Sequence, residues 1–286
     1  MNVGETTRRE FVRTAGIGAA ASALPATLHA GPRRGSTRRG GDEKLILGMA
    51  SYTFRNFDLE DTLAMTGRLG LERICFKSFH LPLESTEEEI RSTVSKARGA
   101  GIEPYGCGVV YMRNEAEVHQ AFDYAAAAGM QVIVGVPNHE LLDLVDSKAG
   151  QFNIQVAIHN HGPGDQLYPT PESAYLRIRD LDPRVGLCLD AGHTRRAGID
   201  PAESARRFSD RLLDVHIKDV SEASSAGSTV EIGRGVTDIP ELLRTLIDVG
   251  YAGTVAFEHE KDAGDPLPGV AESVGYVRGV LSALGG

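Results

Sequence analysis

The chain has 286 residues, of which 41% are hydrophobic and 24% are charged. This composition is typical of a folded globular protein and argues against a disordered, fibrous or membrane-spanning chain. Residues 1–40 hold seven arginines and two acids, so residues 41–286 keep 23 basic and 37 acidic side chains, a net charge of −14. Because such a body repels phosphate backbones, nucleic acid is disfavoured as a partner.

The N-terminal part of the chain is predicted to be an export signal and a linker. Arg8 and Arg9 precede a short, weakly apolar segment at residues 14–24. This arrangement resembles a twin-arginine signal peptide over residues 1–30, and its apolar segment is too short to span a bilayer. Residues 31–44, rich in glycine and arginine, are predicted to form a flexible linker. We therefore expect a periplasmic or secreted protein without an integral membrane segment in its mature form.

From residue 45 onward, short apolar or β-branched runs alternate with amphipathic stretches, the pattern of repeated βα units. The predicted strands are residues 45–50, 72–76, 103–110, 131–136, 154–160, 185–190, 213–218 and 254–258. Helices are predicted to begin near the following residues, most of them good N-caps: Asp58, Thr86, Asn114, Asn138, Thr170, Asp200, Asp238 and Pro268.

Eight βα units in one chain segment are the number found in a (β/α)8 TIM barrel. Residues 45–286 are therefore predicted to form a single barrel of the α/β class. A doubly wound open sheet is the alternative. It usually has a glycine-rich turn after its first strand, whereas here the first strand runs into Ser51 and Tyr52.

Reactive side chains gather at the C-terminal ends of the predicted strands, where barrel enzymes place their chemistry. Five of the nine histidines lie at or just after the last four strands. His159, Asp190, His216 and Glu258 come one from each of these four strands. Two imidazoles and two carboxylates suit a divalent transition metal and leave room for a substrate. The four residues are therefore predicted to bind a metal ion, although each one alone would more often be an ordinary polar residue.

The segments around these residues resemble the sugar phosphate isomerase/epimerase family, the xylose isomerase-like TIM barrels. The similarity covers residues 45–282 and rests on the stretches IHNHG, LDAGH, VHIKD, GRG and GYAG, which occur in the family's order. It implies one divalent ion, Mn, Co or Zn, held by a Glu, an Asp, a His and a second Glu. The last three fall on Asp190, His216 and Glu258, but the first falls on His159. This replacement puts the family's scheme of two carboxylate bases in doubt.

The resemblance also implies roles for the remaining polar residues. The ion would bridge a ketone and a neighbouring hydroxyl, acidify the C–H between them and hold the enediolate that forms. Glu258 is the expected base, and His159 is expected to be a ligand or a second base. Lys77 and His80 are expected to donate protons to a leaving or migrating oxygen. The expected substrate-binding residues are His161, His193, Lys218, Arg234 and Glu260, with an ion pair to Asp219 as the alternative role of Lys218.

The expected substrate is a small, unphosphorylated keto-sugar that the enzyme isomerises or epimerises. Phosphorylated sugars are scarce outside the cytoplasm, and the loops contain no obvious cluster of Lys or Arg to clamp a phosphate. A 3-keto-glycoside lyase or hydratase is the first alternative, because one base and one acid suffice for it.

Two other classes of protein share the barrel. A non-catalytic sugar-binding barrel would keep the site without turnover. A DNA-repair enzyme of the endonuclease IV type needs ligands for three zinc ions, and residues 220–236 lack the Asp-x-His pair that it uses. Members of the family are often dimers or tetramers, so the resemblance also allows a homo-oligomer.

Overall fold

The computed structural model describes residues 45–285, and the predicted export signal and linker lie outside this range. Eight parallel strands close into a barrel, which confirms the predicted (β/α)8 fold. They are β1 (Ile46–Ala50), β2 (Arg73–Phe76), β3 (Glu103–Met112), β4 (Val132–Pro137), β5 (Gln155–His159), β6 (Val185–Asp190), β7 (Leu212–Ile217) and β10 (Thr254–Phe257). Between β7 and β10, β8 (Asp219–Val220) and β9 (Thr229–Val230) form a separate antiparallel hairpin.

The helices surround the barrel and begin close to the predicted positions. They are α1 (Leu59–Arg68), α2 (Glu87–Gly99), α3 (Glu115–Ala128), α4 (Leu142–Phe152), α5 (Pro171–Ile178), α6 (Ala191–Arg196), α7 (Pro201–Arg207), α8 (Ile239–Asp248) and α9 (Leu267–Gly285). Six predicted N-cap side chains accept a hydrogen bond from the first turn: Asp58, Thr86, Asn114, Thr170, Asp200 and Asp238. These bonds satisfy backbone donors that have no partner within the helix.

The structure differs from the prediction at two helix starts. Asn138 makes no capping bond, because a 3-10 turn over His139–Leu141 comes first and α4 begins at Leu142. The short helix α6 was not predicted. It begins directly after β6, and the carboxylate of Asp190 caps it by accepting from the backbone N–H of His193 at 2.6 Å.

Most of the apolar core lies between the barrel and its helices, and a smaller cluster of residues from β2 to β6 packs separately. Cys188 and Ala157 of this smaller cluster lie two positions before Asp190 and His159 on their strands. Since side chains alternate along a strand, each of these pairs points to the same face. The small apolar side chains therefore lie directly below the polar residues at the C-terminal end. Within residues 45–285, no helix combines the length and apolarity that crossing a membrane requires.

Candidate metal centre

Four side chains from consecutive barrel strands meet at the C-terminal end of the barrel. They are the four predicted ligands, His159 of β5, Asp190 of β6, His216 of β7 and Glu258 just after β10, and their ligand atoms all lie within 4.8 Å of one another. All four are buried, and Glu258, the most accessible, is 7% exposed. Strand register explains the meeting, because His216 pairs with Asp190 on one side and with Ala256, two residues before Glu258, on the other.

Several atoms of this group have no hydrogen-bond partner in the part of the chain that the structure describes. They are Nδ1 and Nε2 of His159 and Nε2 of His216. Buried polar atoms in folded proteins nearly always have a partner, so three such atoms in one place call for a ligand. Imidazole nitrogens and carboxylate oxygens are donors that divalent transition metals accept. The residues present therefore fit a divalent ion.

The electrostatics of the group favour metal-binding protonation states. Burial lowers the pKa of His159 to about 3, so this imidazole is neutral and has a free lone pair. Burial, the largest single effect, would raise the pKa of Asp190 and Glu258, but Lys218 and the nearby histidines together outweigh it, and both pKa values fall. At His216, burial, the largest single effect, would lower the pKa, but Glu258, Asp214 and Asp190 together outweigh it, and its pKa rises. Both carboxylates are therefore ionised near neutral pH.

Lys218 lies at the centre of the site, and its side chain is only 2% exposed. Its ammonium donates to Oε2 of Glu258 at 2.8 Å, lies 3.1 Å from Oδ2 of Asp190 and also contacts Oε1 of Glu260. Burial would lower the pKa of Lys218, but these carboxylates raise it well above its usual value. Lys218 therefore carries a proton beside two of the candidate ligands, and Glu260 reaches the site through it.

Asp219, the other partner considered for Lys218, has a different role. Its buried carboxylate accepts hydrogen bonds from the backbone N–H groups of Gly233, Gly235 and Thr237 at 3.0, 2.9 and 3.0 Å. A Cβ on Gly235 would lie 2.2 Å from Oδ1 of Asp219, so only glycine fits there. Asp219 thus holds the loop that follows the β8–β9 hairpin.

A hydrogen-bond network positions Asp190, and sequence reasoning missed two of its members. Asn160 accepts from the backbone N–H of Asp190 at 3.0 Å and donates to the hydroxyl of Thr194 at 3.1 Å. That hydroxyl donates to the carbonyl of Asp190 at 2.6 Å. The available signal was the position of Asn160 between two histidines of the IHNHG stretch.

Two predicted substrate-binding histidines border the metal-ligand group. The ring centroids of His161 and His193 lie 4.5 and 6.0 Å from that of His159. Tyr111 stacks on His161 at 5.7 Å, and its hydroxyl lies 3.2 Å from Nε2 of that ring. Tyr111 was not predicted, since an aromatic residue in a strand normally indicates packing. It is 41% exposed and forms part of the rim.

Two other predicted site residues are engaged elsewhere. Both ring nitrogens of His80 make hydrogen bonds, Nδ1 with Ser51 at 2.9 Å and Nε2 with Thr62 at 2.9 Å, which tie the loop after β1 to α1. Arg234 makes two hydrogen bonds to Glu272 of α9, at 2.5 and 2.6 Å. Neither contacts the four candidate ligands, so the contacts do not support a proton-donor role for His80 or a substrate role for Arg234, and both roles stay predictions.

Lys77 lies at a separate cavity of about 190 Å³ beside Tyr111 and Arg113. Its ammonium donates to the carbonyl of Val109. Burial lowers the pKa of Lys77, which makes it a readier proton donor than an exposed lysine. Its predicted role as an acid stays a prediction.

A buried carboxylate below the site was also missed. Asp214 lies on β7 two positions before His216, is fully buried, and neither of its oxygens has a hydrogen-bond partner among residues 45–285. Burial raises its pKa to about 6. Its position in an apolar strand gave no reason to expect a functional residue.

Comparisons with known proteins identify the family of this barrel. The family model described as "Xylose isomerase-like TIM barrel" matches residues 67–280. The Rhizobium meliloti protein named "Rhizopine catabolism protein MocC" is 28% identical over 152 residues, covering 48% of this chain and 46% of that protein. Inosose dehydratase of Geobacillus kaustophilus is 31% identical over 144 residues, covering 45% of this chain and 44% of that protein. The alignments thus span less than half the length of these two relatives.

Solved structures share the fold. A structure of IolI protein "with a binding zinc atom" has a TM-score of 0.69 at 18% identity and covers 84% of this chain and 99% of that one. The apo form of 3-keto-D-glucoside 4-epimerase YcjR from E. coli has a TM-score of 0.67 at 16% identity and covers 82% of this chain and 99% of that one. The closed barrel of eight parallel strands and the family match over most of the chain together show that this protein belongs to the xylose isomerase-like TIM barrel family.

Proposed function

We propose that this protein is a divalent-metal-dependent enzyme that removes a proton from the carbon next to a carbonyl in an unphosphorylated keto-sugar, as an isomerase or epimerase does. The observation that carries the proposal is the buried group of four donors, His159, Asp190, His216 and Glu258, within 4.8 Å of one another. A sugar-binding module needs hydroxyl contacts, but it does not need two buried carboxylates ionised beside two histidines.

His159, Asp190, His216 and Glu258 would hold the ion. When bound, the ion would supply positive charge near the carbonyl and make the neighbouring C–H more acidic. The other steps belong to the chain's own residues. His161 and His193 border the four donors and are placed to bind substrate hydroxyls.

Glu258 is the proposed base. Its Oε2 accepts from Lys218 at 2.8 Å and lies 3.2 Å from Nδ1 of His216, which fixes the carboxylate. Its Oε1 accepts no hydrogen bond from the residues that the structure describes, so this oxygen is the one available to take a proton. The lowered pKa of Glu258 keeps the carboxylate ionised.

Lys218 is the proposed acid. It is protonated, and its ammonium contacts Glu258 and Asp190, so it lies near any oxygen that reaches the ligand group. It can return a proton to a substrate oxygen and be reprotonated through Glu260, which opens to the rim with 34% of its side chain exposed. Lys77, at the separate cavity beside Tyr111, is the second proposed acid.

A lyase or dehydratase is the second candidate, and one observation favours it. The group contains two carboxylates rather than three, because His159 stands where the family pattern has a glutamate. Inversion at a carbon needs a base on each face, whereas an elimination needs one base and one acid. Glu258 would take the proton from C2 of a 3-keto-glycoside, the C1–C2 double bond would form, the C1–O bond would break, and Lys218 would protonate the departing oxygen.

Export is part of the proposal, since the predicted signal at residues 1–30 would place the enzyme where phosphorylated sugars are scarce. An unphosphorylated substrate is also consistent with the charges around the four donors. Lys218 already has carboxylate partners, and Arg234 is paired with Glu272. Both cations are thus neutralised and poorly placed to clamp a phosphate.

The test is proton NMR in D2O with zinc-loaded protein, a free ketose and, separately, methyl 3-keto-α-D-glucoside, each with and without EDTA. EDTA-sensitive exchange of the proton beside the carbonyl with an intact glycosidic bond would establish isomerase or epimerase chemistry. Loss of the C2 proton together with release of methanol would establish the lyase. Zinc binding with neither reaction on any keto-sugar would reject both and favour a binding protein.

A further inference from the structure

A cavity of about 470 Å³ lies beside the four candidate ligands, under the β8–β9 hairpin. Its wall includes Lys218 and Glu260, which contact each other, and His193 at the start of α6. Because Lys218 also contacts Asp190 and Glu258, the cavity begins where the metal-ligand group ends. A substrate atom at the ligands would therefore have the rest of its molecule within reach of this space.

The size of the cavity exceeds what the reacting carbons need. Pockets for small ligands typically have volumes of about 300 to 1,000 Å³. The hairpin cavity falls in that range by itself, and none of the four candidate ligands forms its wall. It therefore offers room for a second ring beyond the one that reacts.

The cations around the cavity differ in how they are neutralised. Lys261 pairs with Glu231 at 2.7 Å, and Lys218 has three carboxylate partners. Arg196 has no carboxylate partner among residues 45–285; its guanidinium donates to the carbonyl of Ser225 at 2.9 Å and lies 3.4 Å from Nδ1 of His193. Its Nε is buried and has no partner within residues 45–285.

The remaining wall combines hydroxyl groups, which suit sugar hydroxyls, with apolar side chains. Ser228 and Thr229 add hydroxyl groups from the hairpin, next to Val230. A guanidinium with free N–H donors can bind two neighbouring oxygens at once. A single unpaired Arg with two hydroxyl side chains fits a neutral ring bearing several hydroxyls better than it fits a phosphate, which usually takes several charged donors.

We infer that the hairpin cavity binds a second sugar ring, so that the substrate of the proposed reaction is a two-ring keto-glycoside. The keto ring lies at the four candidate ligands, and the other ring lies under the hairpin with its hydroxyls on Arg196. This inference rests on the proposed function and adds a substrate class and a specificity-determining residue to it.

The experiment compares 3-keto-trehalose with methyl 3-keto-α-D-glucoside, which share the reacting ring and differ in the second one. We expect zinc-loaded wild-type protein to have a kcat/KM at least about tenfold higher for the two-ring compound. Arg196→Ala removes the free donor, and Thr229→Trp fills the cavity. Both should lower the ratio of the two kcat/KM values at least about fivefold. Arg91→Ala, an exposed arginine of α2, is the matched control and should keep the wild-type ratio.

The inference would be overturned if wild-type protein had equal kcat/KM values for the two ketones, or if neither cavity variant changed their ratio. In either case, turnover of the methyl compound would still support the proposed function. If neither ketone reacts, the proposed function fails, and binding decides the cavity. In that case, saturation-transfer NMR should show unreactive trehalose binding more tightly than methyl α-D-glucoside, with the preference lost in Arg196→Ala. Equal binding of the two would overturn the inference.

Discussion

The ammonium of Lys218 lies 2.8 Å from Oε2 of Glu258, in a site whose other polar residues suit a divalent cation. This ion pair is buried, so the attraction between the two charges is only weakly screened by water. A protonated lysine at this position compensates the carboxylates and also supplies a proton. It opposes the approach of a metal ion for the same reason.

Removing the charge of Lys218 tests both effects. Lys218→Met should raise zinc affinity at least about tenfold, because a positive charge beside two anionic ligands is lost. It should lower kcat about 100-fold or more, because the proposed acid is lost. Calorimetric titration and steady-state kinetics measure the two effects, with Lys96→Met on the exposed face of α2 as control. Weaker zinc binding in Lys218→Met would show that the lysine supports the ligands rather than competing with the metal.

Asp190 should be indispensable for metal retention. Asp190→Asn removes the negative charge but keeps an oxygen that can accept from the N–H of His193, so α6 retains its cap. We expect zinc affinity to fall about 100-fold with little loss of thermal stability. Asp190→Ala should lose the metal entirely after dialysis, as measured by elemental analysis. Asp123→Ala, on the exposed face of α3, should bind zinc like the wild type, and an Asp190→Ala protein that retained it would refute the proposed site.

Restoring a carboxylate at residue 159 tests the role of the missing base. His159→Glu places a third anionic group in the site, so zinc affinity should rise at least about tenfold. If the lack of a second base limits epimerisation, the variant should also exchange protons on both faces of the substrate carbon. Deuterium NMR measures this exchange. His159→Gln, which adds the same shape without the charge, is the control. Unchanged stereochemistry in His159→Glu would mean that residue 159 is a ligand only.

The buried Asp214 should make the protein less stable as the pH rises. Its pKa is about 6 in the folded protein and 3.8 in the usual case, so between these values the folded state holds a proton that the unfolded chain has lost. Stability therefore falls with rising pH through this window, by up to about 3 kcal/mol at neutral pH. Asp214→Asn should raise the Tm at pH 7.5 by several degrees and have less effect at pH 4.

Thermal denaturation of the metal-free protein at several pH values measures this effect. Asp143→Asn, an exposed position on α4, controls for the change in net charge. A Tm difference between Asp214→Asn and wild type that did not grow from pH 4 to pH 7.5 would argue against a buried, ionising carboxylate.

If the predicted signal directs export, export should depend on its paired arginines, Arg8 and Arg9. Replacing Arg8 and Arg9 together by lysine keeps the charge but removes the guanidinium pair, so the protein should remain in the cytoplasm. Cell fractionation followed by immunoblotting measures the distribution. Replacing Arg33 and Arg34 of the predicted linker by lysine is the matched control and should leave export unaffected. Continued export of the Arg8/Arg9 variant would overturn the signal assignment.

The sequence alone determined the features of this protein that depend on local order. Alternation of apolar runs with amphipathic stretches is a local pattern, and it was enough to predict the barrel. N-caps such as Asp58 and Thr86 were also predictable, because a cap bonds to a backbone N–H only a few residues away. His159, Asp190, His216 and Glu258 could be grouped because consecutive parallel strands end at the same side of a barrel.

Only the tertiary structure determined which residues pair over long distances in the sequence. Lys218 had two candidate roles in the sequence, and barrel closure placed it between Asp190 of β6 and Glu258 after β10 instead of beside Asp219. Arg234 and His80 looked available, but Glu272 of α9 and Ser51 after β1 occupy them. The hairpin cavity next to Arg196 arises from packing of segments that are distant in sequence. Local sequence patterns do not predict such contacts.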